Sequence, residues 1–235
     1  MGAMVSTRAW AAAALVAQGA FVLSWLVAVA WQGPRYSLLE HSISDMYAVG
    51  APHGWFLVVV LTVCGAITVG FALASLRPTL RAGGWSATLG TVLLALSILG
   101  LGDLLTPLER EACRRADPGC SAADQLRNLG GVLDGALSTV GLLLIVAAGF
   151  FLAAAMSRTP GWSGWSRPTR TVTLLVLVLL LATVFSGPAG RGGLFERLLA
   201  AAAAGLVALL ALAVLRTPTG SEEPCNAGPR TGRRQ

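Results

Sequence analysis

Six long apolar runs constrain what this chain can fold into more than any other feature of its sequence. The runs occupy residues 9–31, 55–76, 85–105, 129–156, 171–186 and 194–215. About twenty apolar residues are needed to cross a bilayer as an α-helix. Because lipid offers the backbone no hydrogen-bond partners, each run must satisfy its own peptide groups, as a helix does. The pattern therefore predicts an all-α membrane protein, a bundle of six transmembrane helices.

Charged residues are scarce, which excludes a large soluble domain. They make up 12% of the chain, whereas a soluble domain carries about a quarter. The sequence predicts one transmembrane domain over residues 1–216. It also predicts a disordered cytoplasmic tail over 217–235, which is rich in Pro, Gly, Glu and Arg. The net charge of +6 does not indicate nucleic-acid binding, because the arginines are spread over loop ends rather than gathered in a patch.

The charges of the loops predict the orientation of the helices. Ten arginines fall on the side that holds both termini, and seven fall on the other side. Because an excess of arginine marks the cytoplasmic side, both termini are predicted to be cytoplasmic. Nine of the eleven acidic residues fall on the opposite, outer side. The use of arginine without lysine is typical of a GC-rich bacterial genome, so the predicted location is a bacterial plasma membrane.

Two cysteines, Cys113 and Cys120, flank a sharp turn in the loop between the third and fourth runs. The turn sequence Asp-Pro-Gly folds the loop back and brings the two thiols close. Since the loop is predicted to face an oxidising compartment, where disulfides persist, we expect a Cys113–Cys120 disulfide. A pair of unbonded thiols is the alternative. No other Cys or His lies near enough in sequence to predict a zinc site.

A short polar island, residues 40–47, separates the first two apolar runs. Within it, Ser42 and Asp45 match the capping-box pattern of a hydroxyl followed three residues later by a carboxylate. The island is therefore predicted to form a short helical turn at the outer membrane surface. His41 and Asp45 are four residues apart and share one face of such a turn.

Two carboxyl groups lie inside predicted transmembrane helices. Asp103 is near the outer end of the third run, and Asp134 is one to two turns inside the fourth. Such residues normally face the interior of a bundle or a water-filled cavity. One hypothesis therefore gathers carboxylates and imidazoles around a pocket open to the outer leaflet. Its acid–base candidates are Asp45, Asp134 and His41, and its further pocket candidates are Ser44, Asp103, His53 and Ser138.

A structural alternative accounts for the same residues. Asp45 then acts as a buried cap for loop amides, and the two membrane carboxyl groups are hydrogen-bonded to Ser, Thr or Arg side chains. The sequence contains no recognised hydrolase, phosphate-binding or metal-ligand motif. It therefore predicts no metal site and names no cofactor.

The segment Ile43-Ser44-Asp45 is followed by Pro52 and lies between the first two of six apolar runs. In this it resembles the bacterial and archaeal membrane family called domain of unknown function 998. It is also similar, more remotely, to the Frag/Dram/Sfk family, whose first outer loop carries a like motif. That wider group is linked to lipid-anchor remodelling, autophagy-related signalling and plasma-membrane lipid organisation. The resemblance covers about residues 9–215 and implies a six-helix fold, but it implies no settled activity.

Three functions follow as hypotheses. The first is a multi-pass plasma-membrane protein whose outer polar pocket binds a membrane lipid or another amphiphile. The second is a membrane lipid hydrolase or acyltransferase-like enzyme that uses the Asp and His groups at the outer leaflet. The third is a small transporter, which ranks lowest because no run is interrupted at mid-membrane by a Gly or Pro break or a charge.

Overall fold

The protein is helical throughout the residues that the structure describes. This computed structural model describes residues 2–186 and 190–217, with side chains from residue 7 onward, and no strand occurs in these ranges. The six long helices are α1 (Gly2–Ala28), α2 (Gly54–Gly70), α3 (Trp85–Leu96), α4 (Leu129–Arg158), α5 (Ser163–Ser186) and α6 (Gly192–Arg216). The prediction of an all-α membrane bundle is confirmed.

Five of these helices, with the helical turns that continue them, are long and apolar enough to cross a membrane. α2 reaches the necessary length because it continues through a π-helical segment, Phe71–Leu76, and a last turn, Arg77–Thr79. A sixth span is complete only when α3 and the bent segment Ile98–Leu108 are counted together. α5 starts before the apolar run at 171–186, because its polar first turns are helical as well. Of the predicted tail at 217–235, residues 218–235 lie outside the described residues.

The helices close into a ring. α1 packs between α2 and α6, α5 packs between α4 and α6, and α4 also packs against α3. The segment after α3 closes the ring, since it contacts both α2 and α4. Two glycines permit this close packing. A Cβ at Gly65 would lie 2.3 Å from the amide nitrogen of Leu104, and one at Gly141 would lie 2.6 Å from that of Ile98.

α3 ends inside the membrane rather than crossing it as one straight helix. Ser97 is extended (φ −70°, ψ 175°), and the chain bends by 40° before it resumes as the π-helical segment Ile98–Gly102. With a rise of 1.5 Å per residue, the break lies about 18 Å from the start of α3, near the middle of a hydrocarbon core of about 30 Å. The expectation that no helix is interrupted at mid-membrane was therefore wrong.

The local sequence explains the break. Ser97 is followed by Gly100 and Gly102, so three residues of modest or low helix propensity fall within two turns. The Ser97 hydroxyl donates a hydrogen bond to the carbonyl of Leu94 (2.8 Å), which satisfies a backbone group that a continuous helix would have paired.

The bundle has two chemically different ends. The start of α1 and the end of α6 lie at one of them, here called the terminal end, where Arg8 donates a hydrogen bond to the carbonyl of Leu215 (3.3 Å). The opposite end, here called the loop end, consists of the connections 32–53 and 109–128. These two loops position the candidate site.

Candidate functional site

The two loops of the loop end fold against each other and form a cap over the bundle. A disulfide between Cys113 and Cys120, whose Cα atoms are 6.0 Å apart, closes the second loop on itself. The disulfide prediction is thereby confirmed. The cap is held together chiefly by side chains of one loop that bond to backbone groups of the other.

Asp45 is fully buried within this cap. Its carboxylate accepts the backbone N–H of Arg115 and, at 3.3 Å, that of Ala116. Its own amide donates to the hydroxyl of Ser42 (3.2 Å), which forms one half of the predicted capping box. A short 3-10 turn, Ser44–Met46, follows where a helical turn was predicted. Asp45 therefore joins the two loops and satisfies their amides.

Arg197 of α6 fastens the first loop to the bundle. Its guanidinium group is buried and donates hydrogen bonds to the carbonyls of Leu38 (3.0 Å) and His41 (2.7 Å). It also donates to the hydroxyl of Tyr36 and to the carbonyl of Gly193 in its own helix (2.8 Å). Charge-assisted hydrogen bonds of this kind are stronger than neutral ones, so a single side chain holds the segment 36–41 of the loop against α6.

Two arginines of the second loop bind the first loop. Arg110 donates to the carbonyls of Tyr47 (2.9 Å) and Ala48 (3.0 Å). Arg114 is buried and donates to both the backbone oxygen (3.1 Å) and the side-chain oxygen (3.0 Å) of Gln32. Both guanidinium groups therefore bond within the cap rather than to the space below it.

A cavity of about 300 Å³ lies beneath the cap, inside the ring of helices. Its lining comes from the first loop, from α1, α2, α4, α5 and α6, and from the bent segment after α3. Much of the lining is apolar and includes Phe21, Leu61, Leu99, Leu142 and Leu199. The polar part is concentrated in carboxyl and hydroxyl groups.

Three carboxyl groups from three different elements line this cavity: Asp103, Asp134 and Glu196. The Tyr47 hydroxyl donates to Oδ1 of Asp134 (3.1 Å), and the amide of Ile43 donates to Oε1 of Glu196 (2.9 Å). Burial, and then the charge of Asp134, raises the pKa of Tyr47 well above its usual value, so the phenol stays a hydrogen-bond donor. Within the described residues, no hydrogen bond or ion pair reaches the carboxyl group of Asp103.

Four of the residues proposed from the sequence line the cavity: Ser44, Asp103, Asp134 and Ser138. The structure thus brings together two carboxyl groups that are far apart in the chain. It does not bring Asp45 to them, since that side chain is enclosed in the cap.

The two histidines lie outside the cavity lining. Nδ1 of His41 accepts the amide of Ser37 (2.8 Å), and its ring centroid is 5.4 Å from that of Tyr36. His41 is therefore part of the cap. His53 is exposed, has a left-handed backbone (φ 50°) at the start of α2, and packs edge-on against Trp31 at 5.9 Å.

Sequence reasoning did not assign four residues of this region to the site. They are Tyr47, Glu109, Glu111 and Glu196. The position of Glu196 in the sequence could have predicted its place in the site, because it is a carboxyl group within the first turns of an apolar run, as Asp134 is. The other three lie in loops, where an acidic or phenolic side chain is ordinarily solvated, so the sequence held no comparable signal.

Two buried glutamates lie in the cap close to the cavity. Burial first, and then the negative charge of Asp134, raises the pKa of Glu109 and of Glu111 from 4.5 to about 8. Glu111 also accepts hydrogen bonds from Ser44 (3.2 Å) and Gln125 (2.6 Å). Both carboxyl groups are therefore protonated in the folded protein at pH values where they ionise in the unfolded chain.

The free energy of unfolding is consequently expected to fall as the pH rises from about 5 to about 9. The stabilisation by the two protonated carboxyl groups is complete below pH 4.5 and is lost as the pH passes through 8. Each group contributes up to about 1.4 kcal/mol per pH unit in this window. Thermal unfolding in detergent at several pH values measures the slope.

The double substitution Glu109→Gln and Glu111→Gln is expected to make this slope shallower, by up to about 1.4 kcal/mol per pH unit for each group. The matched control is Glu40→Gln, because Glu40 is an exposed residue of the same cap. A double variant that keeps the wild-type slope would show that other groups cause it.

Within the described part of the chain, no three His, Cys, Asp or Glu side chains are grouped so as to hold a metal ion. The cavity instead presents carboxyl and hydroxyl groups together with an apolar surface. This arrangement suits a ligand that is itself amphiphilic.

A closed ring of membrane-length helices with a capped polar cavity defines a multi-pass membrane protein. The chain belongs to the family described as protein of unknown function (DUF998), whose model matches residues 15–213. The match extends from α1 to α6 and confirms that resemblance, whereas the remoter similarity to the Frag/Dram/Sfk family stays a prediction. Comparisons with curated proteins and with solved structures found no match.

Proposed function

We propose that this protein binds an amphiphile with a positively charged amine headgroup, in the cavity at its loop end and within the outer leaflet of the plasma membrane. The proposal rests on three carboxyl groups, Asp103, Asp134 and Glu196, which line the cavity, with no arginine among the described lining residues. An isolated charge inside a membrane protein is costly and requires a partner or water. A ligand ammonium group is such a partner.

The hydrogen-bonding capacity of the three groups supports this ligand class. Asp134 and Glu196 each use one carboxyl oxygen for a bond within the protein, and Asp103 uses neither. Several acceptor positions are therefore free. A primary ammonium group has three donors and no acceptor, which complements them.

The apolar part of the cavity supports an attached hydrocarbon chain. Leu61, Leu99, Leu142 and Leu199 come from four different elements and line it together. A volume of about 300 Å³ is at the small end of the range for ligand pockets. We therefore expect the cavity to hold the headgroup and the first part of one chain, while the remainder lies among membrane lipids.

Binding of dodecylamine to the purified protein in detergent tests the proposal. Dodecylamine is expected to raise the thermal unfolding temperature, and dodecanol, which has the same chain without the charge, is not. Asp103→Asn and Asp134→Asn are each expected to weaken dodecylamine binding by about ten-fold, which corresponds to about 1.4 kcal/mol. Asp117→Asn is the matched control, because Asp117 is an exposed cap residue. Equal binding of dodecanol, or unchanged binding by both cavity variants, would contradict the proposal.

Transport of the same class of amphiphile is a second candidate, and the break in α3 favours it. Discontinuous membrane helices often form the binding sites of transporters, and the segment that follows the break at Ser97 carries Asp103 into the cavity. Uptake of a fluorescent long-chain amine into liposomes that contain the protein separates transport from binding alone.

The hydrolase or acyltransferase hypothesis receives less support from the geometry. Of the acid–base residues proposed from the sequence, only Asp134 lines the cavity, while Asp45 and His41 bond within the cap. A binding function uses the cavity as it stands and requires no additional group.

A further inference from the structure

A second cavity, of about 470 Å³, opens at the terminal end between the last turn of α2 and the first turns of α3. It is here called the arginine groove, and its lining residues are Arg77, Pro78, Arg81, Gly84, Ala87 and Thr88. Both arginines are exposed. Neither makes a hydrogen bond or an ion pair with any residue in the part of the chain that the structure describes.

No acidic residue lies beside the groove among the residues that the structure describes. The described arginines at the terminal end are Arg8, Arg77, Arg81, Arg158, Arg167, Arg170 and Arg216. Every acidic residue among the described ranges lies instead in the cap or in the cavity beneath it. The two guanidinium groups that line the groove therefore have no acidic partner among the residues that the structure describes.

We infer that the arginine groove binds the phosphate of an anionic phospholipid. A guanidinium group is a planar fork of donors that matches phosphate oxygens, and basic pockets beside membrane helices bind anionic headgroups. The hydroxyl of Thr88 adds a further donor to the lining. The site is separate from the amine-binding cavity and does not depend on it.

The neighbouring surface identifies the source of the phosphate as a lipid. Leu73 lies four residues before Arg77, and Trp85 three residues before Thr88, so each apolar side chain shares a helix face with a groove residue. Leu73 is 42% exposed and Trp85 66% exposed. Both offer apolar surface to acyl chains directly beside the groove, which free phosphate cannot use.

The test uses the full-length protein in nanodiscs of phosphatidylcholine, with phosphatidylglycerol added as the anionic probe. The variant is the pair Arg77→Gln and Arg81→Gln. The matched control is Arg167→Gln and Arg170→Gln, which removes the same charge from exposed positions of α5 at the same end, outside the groove. Native mass spectrometry counts bound phosphatidylglycerol, and thermal unfolding measures the stabilisation it confers.

We expect the groove variant to bind phosphatidylglycerol about ten-fold more weakly than the wild type, and the control about two-fold more weakly. An equal loss in both variants would show only diffuse attraction to a positive surface and would overturn the proposal. Equal stabilisation of the wild type by inorganic phosphate would also overturn it, since the source would then be the free anion.

A folding control accompanies these measurements. The groove variant is expected to keep dodecylamine binding, because the two sites lie at opposite ends of the bundle. If the Gln pair does not fold, the Arg77→Lys and Arg81→Lys pair replaces it. The lysine pair keeps the positive charge but lacks the planar set of guanidinium donors. We expect it to bind phosphatidylglycerol at least about three-fold more weakly than the wild type. Unchanged binding by the Lys pair would contradict recognition by the guanidinium groups.

Discussion

Replacement of Arg197 by methionine is expected to lower the free energy of unfolding by about 3–5 kcal/mol. Hydrogen bonds to a charged group contribute about 1.5–3 kcal/mol each, and this buried guanidinium group donates to the carbonyls of Leu38, His41 and Gly193 and to the hydroxyl of Tyr36. Methionine fills a similar volume but donates nothing. The loop carbonyls would then be left buried and unpaired.

Thermal unfolding in detergent measures this loss, and trypsin cleavage after the exposed Arg35 reports whether the first loop has been released. The matched control is Arg191→Met, which changes an exposed arginine just before the start of the same helix. Its effect is expected to stay within about 0.5 kcal/mol. The assignment of Arg197 as the residue that holds the loop fails if both variants unfold at the same temperature.

Asp45→Ala is expected to destabilise the protein by about 2–4 kcal/mol. Each buried group that loses its hydrogen-bond partner costs about 1–3 kcal/mol, and Asp45 satisfies the amides of Arg115 and Ala116 from a fully buried position. Asp45→Asn is expected to lose less, because its remaining carboxamide oxygen still accepts one of the two bonds. Thermal unfolding of both variants measures the difference.

Two further variants test whether the effect of Asp45→Ala is specific to its role in the cap. Glu40→Ala removes an exposed carboxylate from the same loop and is expected to leave stability unchanged. Asp134→Asn is expected to fold normally and to bind dodecylamine about ten-fold more weakly instead. If Asp45→Ala folded normally and lost amine binding, Asp45 would belong to the binding site, and its assignment to the cap would be mistaken.

Several features of this protein were predictable because they depend on short stretches of sequence. A run such as 194–215 must cross the bilayer whatever its neighbours are, since its length and apolar character leave no alternative. The Cys113–Cys120 disulfide was predictable for a similar reason, because the Asp-Pro-Gly turn between the cysteines brings them together locally. The family resemblance likewise rested on one short motif and on the number of runs.

The break in α3 was not predicted, although the residues that form it are weak helix formers. Serine and single glycines are common in membrane helices, where they also serve close packing. Whether Ser97, Gly100 and Gly102 break the helix depends on how well their neighbours accommodate the bend. Gly65 of α2 and Gly141 of α4 leave the space that the bent segment occupies. The sequence alone does not show that these two glycines lie beside the break.

The grouping of the carboxyl groups was also decided by tertiary packing. Asp45 and Asp134 were both candidates for the pocket, but two backbone amides of the second loop donate hydrogen bonds to the two carboxylate oxygens of Asp45. The orientation of the helices and the bend after Ser97 place three carboxyl groups in the lining of one cavity, those of Asp103, Asp134 and Glu196.

The sequence by itself determined the helical membrane architecture, the disulfide and the positions at which charge is costly, because these follow from local composition and spacing. Only the tertiary structure decided which of these ionisable side chains line one cavity and which form hydrogen bonds within the cap. That outcome depends on contacts between residues far apart in the chain, and no local pattern records them.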